Sequence, residues 1–430
     1  MGADMQNRFN NIKIDYSWSF GDKKQGETNY LTHGFYTYPA KFIPHLAQRL
    51  IKQYSKENEV VLDPFMGSGT TILESILHNR IAFGCDINEI AFLISKVKVT
   101  PLNINELQKE FINLESNLIG FDSNSLFFQQ NIEIESIIKH ERINYWFKEE
   151  QIIELNKILY FILKIDNENI RDFFKIAFAQ ILKSTSIWLQ KSIKPTRDLN
   201  KKINNPTNLF LTQAKKMIKK HKEYLLYLDS KAIKNIDKCL YLTCCDCRKL
   251  SLKDNSVDLI VTSPPYVTSY EYADLHQLPN LWFSYMDDLC EFQKKFIGSN
   301  SKMRENIDLK SNIALNIIES LGKNKKAKEV YSYYADMLEC FVEMKRVLKP
   351  KGKFCIIIGN TQFKGVDILN AEVFVEQLCN IGFKIVDIIN REIPSKMLPS
   401  TRDSKIGRFS KAINSDKLVY PTEYILIMEK

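Results

Sequence analysis

Features that would indicate a fibrous, secreted or membrane-bound protein are scarce in this sequence. Its 430 residues include only 15 glycines and 13 prolines, which excludes a collagen-like or low-complexity chain. No apolar run reaches the roughly 18 residues that a membrane-spanning helix needs, so we expect no membrane partner. The opening MGADMQNRFN contains no apolar secretion signal. What remains is an ordinary globular composition, with length for one large domain or two to three modest ones.

Cysteines are few and mostly scattered. Of the nine in the chain, four fall close together, at Cys239, Cys244, Cys245 and Cys247. This cluster contains no Cys-x-x-Cys pair and has no histidine nearby, so the sequence predicts no metal site. We expect buried cysteines on a strand instead. Scattered reduced thiols also favour a cytoplasmic location.

The charge of the chain is unevenly distributed. Its 60 Lys and Arg outnumber 51 Asp and Glu, a net charge of +9. Residues 183–223 contain eleven basic residues and two acidic ones, so this stretch carries the whole excess. A localised basic stretch suits a polyanion such as nucleic acid. By composition alone, a solvated helix face explains the same run equally well.

Short apolar runs alternate with segments of helical periodicity. Strands are predicted at 60–62, 80–86, 240–243, 257–261, 354–358, 383–389 and 424–428. Helices are predicted between them, at 42–54, 72–77, 88–98, 330–348 and 371–381. This alternation predicts an α/β fold, with a doubly wound, mostly parallel sheet covered by helices on both faces. The core would comprise 1–100 and 239–430, and the mainly helical periodicity of 101–238 predicts a basic helical insertion.

Polar side chains follow four of the predicted strands. The loop 63–69, Asp86, Asp246 and the segment 263–266 each begin where an apolar run ends. Because the carboxyl ends of parallel strands meet at one edge of a sheet, these residues should converge there. The sequence therefore predicts a ligand site at that edge.

The loop after the first strand has the features of a turn that binds a cofactor. Gly67 and Gly69 allow a tight turn into the next helix, whose free N–H groups can face a negative group. No Gly-Lys-Ser/Thr follows, which excludes a P-loop. Asp86 ends the next strand, where a carboxylate can accept both hydroxyls of a ribose. The placement of Asp86 favours an adenosine-containing cofactor over a simple tight loop.

The sequence Thr-Ser-Pro-Pro-Tyr follows another apolar strand. Consecutive prolines donate no hydrogen bonds and extend the backbone, so the carbonyl groups of Ser263 and Pro264 project as acceptors. The Ser263 hydroxyl adds a polar group and Tyr266 an aromatic face. This set suits the exocyclic amine of a planar base stacked on the tyrosine. A proline-terminated strand with a packing tyrosine remains the structural alternative.

Together the two motifs resemble those of S-adenosylmethionine-dependent amino-methyltransferases of DNA. DPFMGSGTT resembles that family's cofactor loop, TSPPY its catalytic motif, and 38–44 the segment over the methionine end of the cofactor. The resemblance covers about 1–100 and 239–430. The Ser-Pro-Pro-Tyr variant is most similar to cytosine-N4 enzymes, although adenine-N6 enzymes also use it. Here the cofactor loop precedes the catalytic motif, whereas the order is usually reversed in the most similar subgroup.

The resemblance implies a Rossmann-like methyltransferase fold, S-adenosyl-L-methionine as cofactor, and specific site residues. Asp86 would bind the ribose, Asp246 would lie near the adenine amine, and Asp63 would approach the methionine end. The remaining cofactor-binding residues would be Tyr38, Lys41, Phe65, Gly67, Gly69 and Thr70. The residues at the target base would be Ser263, Pro264, Pro265 and Tyr266.

The implied reaction is site-specific methylation of the cytosine N4 amine in double-stranded DNA after base flipping, within a restriction–modification system. In such a system, a cognate restriction endonuclease could be a partner of the enzyme. DNA contacts would come from the basic stretch, through Lys191, Lys194, Arg197, Lys215, Lys216, Lys219 and Lys220. Adenine-N6 methylation, RNA amino-methylation and a non-catalytic nucleic-acid-binding module are the alternatives.

Overall fold

A computed structural model describes residues 8–39, 41–120, 141–192, 194–228, 233, 236–267, 272–299, 303–363, 365–394, 401–402, 417–418 and 422–430. The strands are β1 (Val60–Asp63), β2 (Ile81–Asp86), β3 (Leu240–Cys244), β4 (Val257–Thr262), β5 (Leu348–Ile358), β6 (Thr361–Phe363), β7 (Val366–Ile368), β8 (Lys384–Glu392), β9 (Thr401–Arg402), β10 (Lys417–Leu418) and β11 (Thr422–Glu429).

The helices of the first half are α1 (Gln25–Thr28), α2 (Pro44–Tyr54), α3 (Thr70–Leu77), α4 (Glu89–Val99), α5 (Ile104–Gly120), α6 (Glu141–Trp146), α7 (Glu149–Leu163), α8 (Glu168–Thr185) and α9 (Pro206–Tyr227). Those of the second half are α10 (Ile236–Cys239), α11 (Tyr272–Leu275), α12 (Gln277–Trp282), α13 (Leu289–Lys294), α14 (Asn312–Leu321), α15 (Lys325–Val347) and α16 (Asn370–Asn380).

Seven strands form one central sheet in the order β3-β2-β1-β4-β5-β11-β8. The five strands β3, β2, β1, β4 and β5 run parallel to one another, and β11 pairs antiparallel with both β5 and β8. The sheet order reverses beside β1, so β1 and β4 lie next to each other at the switch point where α/β sheets bind ligands. The predicted α/β fold with a mostly parallel, doubly wound sheet is confirmed.

Both faces of the sheet are covered because successive side chains of a strand point to opposite sides. Val61 packs with Leu46 and Leu50 of α2 on one face. Its neighbour Leu62 belongs to the core on the other face, which includes Phe341 of α15. The strands are therefore buried on both sides, as their continuous apolar runs predicted.

Helices α5 to α9, between α4 and β3, share a core with the sheet-covering helices. Leu155, Phe173 and Phe178 are buried in one cluster with Ile94 of α4 and Trp282 of α12. Because α12 follows the catalytic motif in the chain, this helical region is docked against elements that carry the site.

The cysteine cluster differs from the prediction. β3 is an edge strand of the central sheet, and Cys244 on it is exposed. Cys247 is buried but lies beyond the strand, while Cys239 and Cys245 are half-buried. The prediction of buried strand cysteines was wrong because β3 lies at the edge of the sheet, where its side chains are only partly covered.

Two further properties of the described residues concern metal binding and membrane crossing. No three His, Cys, Asp or Glu side chains among them are grouped closely enough to hold a metal ion. Among the helices described, none combines the length and hydropathy that crossing a lipid bilayer requires.

Candidate active site

A cleft opens at the carboxyl edge of the sheet, and it brings together residues from distant parts of the chain. About 850 Å³ of space lies between its walls, part of it open to solvent, which is within the usual range for small-molecule sites. The predicted site residues that line it are Tyr38, Lys41, Phe65, Gly67, Thr70, Asp86, Asp246, Ser263 and Pro265. The cofactor loop and the catalytic motif therefore face one cavity.

Four predicted site residues lie behind or beside this lining: Asp63, Gly69, Pro264 and Tyr266. Asp63 at the end of β1 is 1% exposed. Its Oδ1 accepts hydrogen bonds from the Thr262 hydroxyl at 2.6 Å and from the Phe65 N–H at 3.1 Å. Burial raises the pKa of Asp63 to about 6. Its observed contacts join the cofactor loop to the strand that leads into the catalytic motif.

The cofactor loop needs glycine for its conformation and for its close packing. Gly67 and Gly69 have φ of 47° and 71°, in the left-handed region that other residues rarely adopt. A Cβ on Gly69 would lie 2.7 Å from Ser95 Oγ. The Ser95 hydroxyl donates to the Gly67 carbonyl at 3.0 Å, so a hydrogen bond joins α4 to the cofactor loop.

Asp86 at the end of β2 is fixed by backbone donors. Its two carboxylate oxygens accept from the N–H of Gly67 and of Asn88, each at 2.9 Å. Burial raises its pKa to about 6. Each carboxylate oxygen retains further acceptor capacity, so a diol in the cleft could still be bound.

Tyr38 and Lys41 form another part of the cleft wall. The Tyr38 ring lies over the loop, since a Cβ on Gly67 would be 3.3 Å from it. On its far side the buried His276 stacks at 4.5 Å between ring centroids. Lys41 Nζ donates to Asn29 Oδ1 at 2.9 Å, and burial lowers its pKa to about 8, with Lys220 contributing. The wall thus offers an aromatic face and an amino group.

The catalytic motif is held by contacts that leave Ser263 open. In the part of the chain that the structure describes, no group bonds to the Ser263 hydroxyl or carbonyl, and Ser263 faces the cleft. The Pro265 carbonyl, by contrast, accepts from the Tyr333 hydroxyl at 2.8 Å. The Tyr266 hydroxyl lies 3.4 Å from Glu423 Oε2, and its ring lies beside Gly359.

Charged groups brace the cleft near Asp246. The Arg248 guanidinium contacts the Asp246 carboxylate at 2.6 Å and the Asp336 carboxylate at 3.0 Å. Asp336 Oδ2 also accepts from the Gly298 N–H at 3.2 Å. Gly298 follows a wall segment that sequence reasoning missed, 295–297. Nothing in its composition distinguishes that segment, because only the tertiary fold brings it to the cleft.

The seven predicted DNA contacts fall into two groups. Lys191, Lys194, Arg197, Lys216 and Lys219 are exposed. Lys215 is exposed but pairs with Glu115 at 2.7 Å. Lys220 is half-buried, and its ammonium donates to the Asn29 carbonyl, so it is less available to a phosphate than the exposed lysines. A run of lysines on one helix does not reveal which of them faces inward.

Comparison with known proteins agrees with this geometry. M.MvaI of Kocuria varians, named a Type II methyltransferase, is 27% identical over 427 residues, or 93% of this chain and 92% of the relative. M.BsoBI of Geobacillus stearothermophilus, also named a Type II methyltransferase, is 23% identical over 84% of this chain and 80% of its own length. M.MjaII of Methanocaldococcus jannaschii is 30% identical over 113 residues, 26% of this chain and 21% of the relative.

A family model with the description DNA methylase (N6_N4_Mtase) matches residues 3–96 and 257–430. The match contains both the cofactor loop and the catalytic motif, and it leaves out the helical region between them. Since it covers more than half of the chain, the protein belongs to the DNA methylase family.

Proposed function

We propose that this DNA methyltransferase transfers a methyl group from S-adenosyl-L-methionine to the exocyclic N4 amine of cytosine in duplex DNA. The observation that carries the proposal is that Asp86 and Ser263, from two separate motifs, line one cleft. The Asp86 carboxylate can bind the ribose of a methyl donor, and the Ser263 hydroxyl can bind the amine of a target base. Because both line one cavity, the cavity suits the donor and the base together. The Ser-Pro-Pro-Tyr form of the motif supports cytosine over adenine.

The cleft suits the cofactor in size and in chemistry. Asp86 would accept the ribose hydroxyls, and the Gly67–Gly69 turn would let the backbone approach closely. The Lys41 ammonium would be a counter-charge for the carboxylate at the methionine end of the cofactor. When bound, S-adenosyl-L-methionine supplies an electrophilic methyl group on a sulfonium. Asp63 and Asp246 would support the methionine and adenine ends, Asp63 through the loop that it holds.

The catalytic motif would act on the amine of the flipped base. The lone pair of that amine is delocalised into the ring, which makes it a weak nucleophile. The Ser263 hydroxyl and the Ser263 and Pro264 carbonyls would accept its hydrogens and favour a more tetrahedral nitrogen. In the transfer a C–N bond would form and the C–S bond of the sulfonium would break, leaving a neutral thioether, and the proton that the amine loses would pass to water. Positioning of the amine close to the methyl group would supply much of the rate acceleration. Tyr266 would stack on the base.

Residues 101–238 would form the DNA-binding part of the enzyme. A base must leave the duplex to reach the cleft, which costs a few kcal/mol of stacking and pairing. Contacts from the exposed basic residues to the phosphates would offset that cost. Likeness to Type II methyltransferases along nearly the whole chain supports a role in restriction–modification. A cognate endonuclease would then share the recognition site.

Methyl transfer from tritiated S-adenosyl-L-methionine tests the proposal. Duplex DNA, single-stranded DNA and total RNA are incubated in parallel with the purified chain. We expect label in duplex DNA. Label in RNA alone would overturn the proposal, and cofactor binding without transfer to any substrate would favour a non-catalytic module.

A further inference from the structure

Between α8 and α9 the backbone forms an antiparallel hairpin, here called the Trp188 hairpin, whose arms are residues 187–192 and 194–198. Trp188 pairs with Arg197 across it. The Leu189 N–H donates to the Thr196 carbonyl at 2.8 Å, and the Asp198 N–H donates to the Ile187 carbonyl at 2.7 Å. The two arms form a short two-stranded ribbon that follows α8 in the chain.

Two basic residues brace the hairpin from inside. Lys201 Nζ donates to the carbonyls of Lys183 and Trp188, at 2.7 and 2.8 Å. Lys183 Nζ donates to the Ser192 carbonyl at 2.8 Å. These ammonium groups add hydrogen bonds to backbone carbonyls of the hairpin and of the end of α8, so they help to hold the ribbon in shape.

The base of the hairpin is fixed to the element that follows the catalytic motif. The buried Trp188 ring stacks on Trp146 with 5.0 Å between centroids. The Trp146 indole N–H donates to Gln277 Oε1 at 3.0 Å. Gln277 begins α12, which is also packed edge-on against this region through Trp282 and Phe147. The ribbon and the catalytic side of the cleft are therefore joined by direct contacts.

The outward groups of the hairpin are cationic and unpaired. Lys191, Lys194 and Arg197 are exposed, and within the described residues none has a carboxylate within salt-bridge distance. The Arg197 guanidinium lies 4.1 Å from the centre of the Tyr145 ring. An aromatic face beside a guanidinium restricts its orientation, so the donors of Arg197 are partly pre-oriented.

We propose that the Trp188 hairpin is the sequence-reading element of the enzyme, entering the major groove of duplex DNA with Arg197 as its principal base contact. This inference rests on the proposed function. The major groove admits a two-stranded ribbon, and arginine or lysine paired with the O6 and N7 of guanine is the commonest specific contact. The recognition sequence should therefore contain a G·C pair whose guanine Arg197 reads.

The experiment compares Arg197→Lys, Arg197→Ala and the wild type on a library of duplexes with a randomised segment. Methylated molecules are identified by single-molecule sequencing. The substituted side chain is exposed, and thermal melting verifies that each variant is folded. A Lys216→Gln, Lys219→Gln variant on α9 is the control for phosphate contacts made by charge alone.

We expect Arg197→Ala to lose preference for guanine at one position by about tenfold or more, since a bidentate pair carries that discrimination, whereas Arg197→Lys should retain part of it because lysine also pairs with the O6 and N7 of guanine. Arg197→Lys should retain the salt dependence of binding, because its charge is kept. The α9 control should methylate less at every site and keep the wild-type consensus. An unchanged consensus in both Arg197 variants would overturn the inference. A wild type that methylates no duplex would instead contradict the proposed function.

Discussion

The hydroxyl group of Tyr333 donates a hydrogen bond to the carbonyl oxygen of Pro265, at 2.8 Å. Tyr333 is buried on α15, and Gly298 packs against its ring, since a Cβ there would lie 3.0 Å from Cδ2. Asp336, one turn further along the same helix, accepts from the Gly298 N–H. One helix thus holds the catalytic motif and the cleft wall near Asp246.

Tyr333→Phe should lower kcat roughly five- to tenfold, the effect of losing one neutral hydrogen bond. Its KM for the cofactor should change little, because Tyr333 acts through Pro265. The matched control is Tyr334→Phe, which removes a buried hydroxyl bonded to Asn370 at 3.1 Å instead. Similar losses of kcat in both variants would mean that Tyr333 only stabilises the fold.

Cofactor affinity should depend on the ionisation of Asp86. Burial raises its pKa to about 6, so the carboxylate gains a proton as the pH falls through that value. A protonated carboxyl accepts hydrogen bonds from ribose hydroxyls less well, and the Kd for S-adenosyl-L-methionine should rise below pH 6. Calorimetric titration from acidic to neutral pH measures this.

Asp63 also has a pKa of about 6, so a control must separate the two carboxyls. Asp86→Asn should bind the cofactor weakly at every pH and show no titration near 6. If Asp86→Asn keeps the wild-type pH dependence, the titrating group is not Asp86.

Ser263→Ala should keep cofactor binding and lose turnover on the order of 100-fold, because a preorganised polar contact to the reacting amine is removed. The side chain faces the cleft and has no partner in the described part of the chain, so its removal should not unfold the protein. Single-turnover methylation and cofactor titration measure the two effects. Undiminished turnover would remove Ser263 from the mechanism.

Gly69→Ala should lower both stability and cofactor affinity, since the added methyl would meet Ser95 Oγ at 2.7 Å in a left-handed backbone. Combining it with Ser95→Ala should restore little of the stability, because the Cβ of residue 95 would still lie 3.0 Å away and the hydrogen bond from Ser95 to the Gly67 carbonyl would be lost. Gly26→Ala is the control, as its Cβ would meet nothing within 4 Å. Thermal melts of the four proteins test this.

The salt dependence of DNA binding should separate the exposed lysines of α9 from the half-buried Lys220. Lys216→Gln with Lys219→Gln should reduce the slope of log K against log salt by roughly 1.8, if each ammonium contacts a phosphate. Lys220→Gln should leave that slope unchanged, because its ammonium bonds to Asn29. A slope unaffected by the double substitution would make the lysine run a solvated surface.

Apolar runs and the residues that follow them predicted much of the site. Asp86 and Ser263 end strands, and parallel strands must bring their carboxyl ends to one edge, so their meeting was foreseeable. Tyr333 and Lys295 were missed because only long-range packing brings them to the site. The exposure of Cys244 and the inward bond of Lys220 depend on strand order and helix rotation, which local composition does not determine.

The identity of the methylated base tests the central claim most directly. Duplex DNA methylated by the protein is digested to nucleosides and analysed by mass spectrometry, in which N4-methylcytosine and N6-methyladenine separate. We predict N4-methylcytosine as the product. N6-methyladenine without N4-methylcytosine would contradict the assignment of cytosine as the target.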